Sequence, residues 1–125
     1  MKEIFIFIIC FLVPLIWFRT LYYTYRKYFN ISQIRKETHL QIHHLHYGLI
    51  MLTICAFLLL FIGKNNYVVG LFGLGLGFCL DEFVPALLMP GNRPVELTAY
   101  EKGFIPTLWI FVIIVIVAFI LSIIF

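Results

Sequence analysis

Histidines 39, 43, 44 and 46 crowd into one short stretch, and Asp81 and Glu82 stand side by side in an otherwise apolar run. Such residues can ligate a divalent metal, relay protons or activate water. At about 100° per residue, His39, His43 and His46 share one helical face within about 60°, and His44 points away from it. The pairs His39/His43 (i, i+4) and His43/His46 (i, i+3) are each spaced so that two imidazoles can share an ion. His39 and His46 would lie about 10.5 Å apart along the axis, so one helix offers at most two ligands per metal. Asp81 and Glu82 are the expected source of the rest. The expected ligand set is therefore His39, His43, His46, Asp81 and Glu82. Mixed nitrogen and oxygen donors suit zinc, iron or manganese. Glu82, or Glu101 from the following loop, would serve as the base beside a metal-activated water. Haem fits poorly, because every histidine belongs to one helix.

The elements that must hold these residues belong in lipid. The chain has 125 residues, 63% of them hydrophobic and 12% charged, with mean hydropathy +1.05. A soluble domain is about 45–50% apolar and about 25% charged. This composition excludes a disordered chain and a disulfide-stapled secreted module. The net charge of +3 is not a nucleic-acid footprint, since the basic residues do not cluster with stacking aromatics. Four apolar segments, about 4–23, 43–62, 67–89 and 105–125, predict an all-α, single-domain, four-helix transmembrane bundle. The first lacks a cleavage site and is read as a helix, not a signal peptide, continued by an amphipathic, interfacial stretch at Thr20–Phe29.

Arg19, Arg26, Lys27, Arg35, Lys36, Arg93 and Lys102 fall in the two longer connections, against Lys2 and Lys64 elsewhere. The positive-inside bias then predicts a cell (inner) membrane protein with both termini outside. Tyr22, Tyr23, Tyr25 and Tyr28 fit an interfacial belt. Thr38-His39-Leu40-Gln41 has the form of a capping box that would start the second helix early. Cys10, Cys55 and Cys79 lie inside spans without a CxxC pairing and read as inert. The sequon at Asn30 faces the side where it would not be modified.

Gly63-Lys64-Asn65-Asn66 reads as a tight turn joining spans two and three into an antiparallel hairpin. With the turn centred on Lys64 and Asn65, positions summing to about 129 lie level. Asp81 then faces Gly48, Glu82 faces Tyr47, and His46 is within a turn of both. Gly70, Gly73, Gly75 and Gly77 admit close helix neighbours, with Asp81 on the Gly70/Gly77 face and Glu82 on the Gly75 face. Pro85 cannot donate to the Asp81 carbonyl, which leaves that oxygen for a water or ion. In a purely structural reading, the carboxylates are neutralised by a protonated histidine, Arg93 or Lys102.

Ile42-His43-His44…Gly48, Gly73-Leu74-Gly75-Leu76-Gly77 and Leu80-Asp81-Glu82-Phe83 together resemble a group of small prokaryotic integral membrane proteins. These share a His-rich helix start and a Gly-rich helix ending in Asp-Glu-Phe. The likeness spans His39 to about Ile105 and implies that the two segments belong together.

Three functions are consistent with these features. One is a metal-dependent hydrolase or related transferase acting on a lipid or lipid-linked substrate near the cytoplasmic interface. Another is a proton- or cation-coupled transport component, and the last a structural or assembly subunit of a membrane complex. The expected partners are the bilayer, a lipid substrate and a second copy docked through the glycine-rich third span, with no nucleic acid.

Overall fold

A computed structural model describes residues 2–24, 44–88 and 102–125. Among the described residues there are four α-helices and no strand. They are α1 (Lys2–Thr24), α2 (His44–Phe61), α3 (Asn66–Leu88) and α4 (Phe104–Ile124). Each coincides with an apolar segment of the sequence to within a residue or two at most ends. The candidate capping box and the amphipathic stretch beyond Thr24 lie outside the described residues. Stretches of α1 (Lys2–Leu21), α3 (Asn66–Pro85) and α4 (Phe104–Ile124) are long and apolar enough to cross a membrane. The apolar run of α2, Leu45–Phe61, is shorter.

Local chemistry sets the ends of the α2–α3 hairpin. Gly63 takes φ 89°, a left-handed conformation that glycine adopts at no steric cost, and α2 stops there. Asn65 caps α3: its Oδ1 accepts from the backbone N–H of Tyr67 at 2.9 Å and of Val68 at 3.0 Å. Asn66 is thus the first helical residue rather than part of the turn. At the start of α4, Pro106 falls in the first turn, where its missing N–H costs no hydrogen bond.

Helix α3 is the axis of the bundle, with α1 on one face and α2 on another. A Cβ on Gly73 would meet the Phe7 carbonyl oxygen at 2.8 Å, and one on Gly77 would run into the Phe11 carbonyl oxygen. The α1 backbone therefore lies directly on the α3 glycines, closer than any larger residue permits. Contacts advance together along both chains (Phe7 with Gly73, Phe11 with Gly77), so α1 and α3 run parallel. On the second face Gly48 of α2 sits over Gly75 and Cys79, and Leu52 covers Gly75. Helix α4 lies against α1 and α3. Phe11 stacks on Phe7 and, at 4.5 Å between centroids, on Phe111, forming the core with Leu15.

Glu3 and Lys64 form an ion pair at 2.5 Å, which ties the start of α1 to the hairpin turn. The two residues that stand apart from the cationic connections, Lys2 and Lys64, are thereby at one end of the bundle.

Candidate functional site

The polar residues gather at the other end. Asp81 is completely buried and Arg19 is 4% exposed. Arg19 Nε donates to Asp81 Oδ1 at 3.1 Å, and Nη2 makes a longer contact of 3.5 Å with the Asp81 carbonyl oxygen. That carbonyl is the one Pro85 leaves without its helical donor. One guanidinium thus serves both the side chain and the orphaned backbone oxygen, a task the sequence reading gave to a water or an ion. The Arg19 guanidinium carbon also lies 4.9 Å from the centre of the Phe104 ring. Tyr23 meets the same ring edge-on. The cluster fastens α1, α3 and α4 together within segments apolar enough to span a membrane.

Arg19 is the residue that sequence reasoning missed. It was counted with the loop cations, and the expected partners of the carboxylates were histidine, Arg93 or Lys102. A signal existed nonetheless. Arg19 follows Lys2 by 19 − 2 = 17 residues, and Asp81 follows Lys64 by 81 − 64 = 17. Two parallel helices starting at one interface reach equal depth after equal numbers of residues.

Glu82 is 6% exposed and belongs to a different stripe. It follows Gly75 and Cys79 at spacings of seven and three, the face that α2 covers. Cys79 Sγ lies 3.8 Å from the Leu45 carbonyl oxygen of α2. Both carboxylates therefore lie within packed protein, one toward α1 and one toward the α2 seam. Thr107 on α4 is also completely buried, and its Oγ1 makes no hydrogen bond among the described residues.

The hairpin register differs from the expected one. Gly48 lies level with Gly75 and Cys79, not with Asp81, and Leu45 lies level with Cys79. The physical reason is the turn itself, which ends α2 at Gly63 and lets Asn65 start α3 at once, moving its centre toward the N-terminus.

The seam side of α2 is marked by Leu45, Gly48, Leu52 and Cys55. Cys55 Sγ lies 3.4 Å from the Val68 carbonyl oxygen across this seam. His46 is exposed. It follows Leu45 by one residue and precedes Gly48 by two, spacings that turn it away from α3. Position 44, spaced four residues from Gly48 and eight from Leu52, is on the seam side of the helix. It is the histidine that sequence reasoning set apart from the other three. His39, His43 and Glu101 lie outside the described residues. Among the described residues no group of three or more His, Cys, Asp and Glu side chains is placed to hold a metal ion. Cys10, Cys55 and Cys79 are free thiols.

Asp81 is engaged by the Arg19 guanidinium and helps to hold α1 against α3. Glu82 is buried on the α2-facing side of α3, and a buried carboxylate is chemically able to ligate a cation or exchange a proton. No protein-family model, curated protein or solved structure matches the chain.

Proposed function

We propose that this chain is a multi-pass cell-membrane protein, with α2 as the fourth span, whose working site is the Glu82 end of the α2–α3 seam. Both termini lie outside and the site lies near the cytoplasmic interface, as the distribution of Lys and Arg suggests. Glu82 joins imidazoles of the His-rich segment in holding zinc, iron or manganese. The ion would supply an activated water for hydrolysis or transfer on a lipid headgroup or lipid-linked ester, which reside at that depth. Glu101 remains the candidate second base. The observation that carries this reading is the burial of Glu82 on the α2-facing stripe of α3, one residue from a carboxylate already matched by Arg19. An ionisable side chain buried within a membrane-crossing segment is costly and by default marks a functional site. His44 is the preferred imidazole because its spacing follows the seam, with His39 and His43 as further donors.

Elemental analysis of the purified protein tests this. About one equivalent of a transition metal is expected, lost in Glu82→Gln and in His44→Ala and kept in His46→Ala. Substoichiometric metal that no variant changes would remove the metal from the proposal.

A second reading rests on the Arg19–Asp81 pair. Here the polar end is a structural lock and the chain an assembly component of a membrane complex. It predicts co-purification with larger partners and no bound metal. The expected self-association through the α3 glycines needs another surface in either reading, because α1 and α2 of the same chain already cover those faces.

A further inference from the structure

We propose that the end of the bundle opposite the polar cluster binds one phospholipid with a zwitterionic headgroup. A groove of about 590 Å³ opens there among all four helices. Phe7 of α1, Leu59 of α2, Phe72 of α3 and Ala118 of α4 supply its apolar walls. Glu3 and Lys64 line the same groove and are its charged residues, Lys64 exposed and Glu3 half-buried, 2.5 Å apart. The volume falls in the range of small-molecule sites, about 300–1,000 Å³.

The chemistry of the walls selects the occupant. A hydrocarbon-lined groove in a membrane protein offers water no hydrogen bonds, whereas acyl chains surround it as solvent. The polar end carries one cation and one anion, which match a headgroup holding both a phosphate and an ammonium. Lys64 takes the phosphate and Glu3 the ammonium, so the internal ion pair is exchanged for two charge-assisted contacts with no net change of charge. An anionic headgroup lacking the amine would leave Glu3 facing a phosphate with nothing to neutralise it. The site involves none of the residues of the proposed metal centre, and either can fail without the other.

Native mass spectrometry of the full chain, delipidated in a non-ionic detergent, tests the proposal with dioleoyl phosphatidylethanolamine and dioleoyl phosphatidylglycerol as probes. The wild type should retain one phosphatidylethanolamine in preference to phosphatidylglycerol. Ala118→Trp fills the groove and should weaken both lipids about tenfold, equivalent to roughly 1.4 kcal/mol. Ser122→Trp, one turn further along the same wall, replaces it if Ala118→Trp loses its helical circular dichroism. Glu3→Gln alters a half-exposed side chain and should abolish the preference between the two lipids. Unchanged lipid retention in a folded groove-filling variant, or an unchanged preference in Glu3→Gln, overturns the proposal. A lipid-free dimer that Ala118→Trp dissociates also overturns it, by assigning the groove to a second copy of the chain.

Discussion

Arg19 and Asp81 lie 62 residues apart in the chain yet meet at 3.1 Å with both side chains almost wholly buried. Removing one member leaves the other as an uncompensated charge in a low-dielectric interior. Asp81→Asn or Arg19→Gln should each destabilise the protein by about 3–5 kcal/mol. The paired change Arg19→Met/Asp81→Leu, which removes both charges and keeps apolar volume, should recover most of that loss. Thermal unfolding of the four proteins in one detergent gives the comparison. Additive losses in the double variant would show that the two residues act separately.

Phe104 presents its ring to the Arg19 guanidinium at 4.9 Å. Phe104→Leu preserves an apolar side chain and removes the π face. Its expected cost is about 1–2 kcal/mol, in the range for a desolvated cation–π contact. That cost should largely vanish in the Arg19→Met/Asp81→Leu background, where no cation remains. An equal loss in both backgrounds would reduce Phe104 to simple packing.

The glycines of α3 should differ sharply in their tolerance of alanine. At Gly77 a methyl group meets the Phe11 carbonyl oxygen and lies 3.0 Å from Pro14 Cγ, so the helices must separate. At Gly70 the nearest atoms are Cys10 Sγ at 3.5 Å and Ile6 Cγ2 at 3.6 Å, ordinary contact. Gly77→Ala should cost about 1–3 kcal/mol. Gly70→Ala should be neutral or gain about 0.5–1 kcal/mol from its better helix propensity. Gly48→Ala should resemble Gly77→Ala, because its Cβ would approach the Cys79 nitrogen and Gly75 oxygen at 2.8 Å each. Thermal stability of the three variants decides the order.

The Glu3–Lys64 pair should contribute little to folding despite its short distance. Lys64 is exposed and Glu3 half exposed, and such solvent-facing pairs stabilise by about 0–1 kcal/mol. Lys64→Gln should therefore leave the melting temperature nearly unchanged at moderate salt, in contrast to any single change at Arg19 or Asp81. A large drop would show that the hairpin turn depends on α1.

The helices were legible in the sequence because long apolar runs and their punctuation by the Gly63–Asn66 turn speak locally. The glycine faces were legible as sites of close packing, and Asp81 and Glu82 as residues turned into protein. Which helix would occupy each glycine face was not, since a bare backbone accepts any neighbour. Arg19 was hidden by its dual character: a cation close to an interface reads equally as a topology signal and as an intramembrane partner. Periodicity groups His39, His43 and His46 on one helical face; of these, the described residues include His46, which is exposed at the start of α2.

Burial of α3 between two neighbours also bears on how the chain is made. Of the three helices able to cross a membrane, α3 has the least apolar sequence, and it alone carries two carboxylates there. It is a poor candidate to enter lipid unaided. Chain order supplies the remedy: α1, with Arg19, and α2, with Gly48, emerge before it. Synthesis from the N-terminus thus sets two docking surfaces in place before the residue that most needs them leaves the ribosome. Moving α1 to the C-terminus would separate those events, and the nascent α3 would have to wait for its counter-ion.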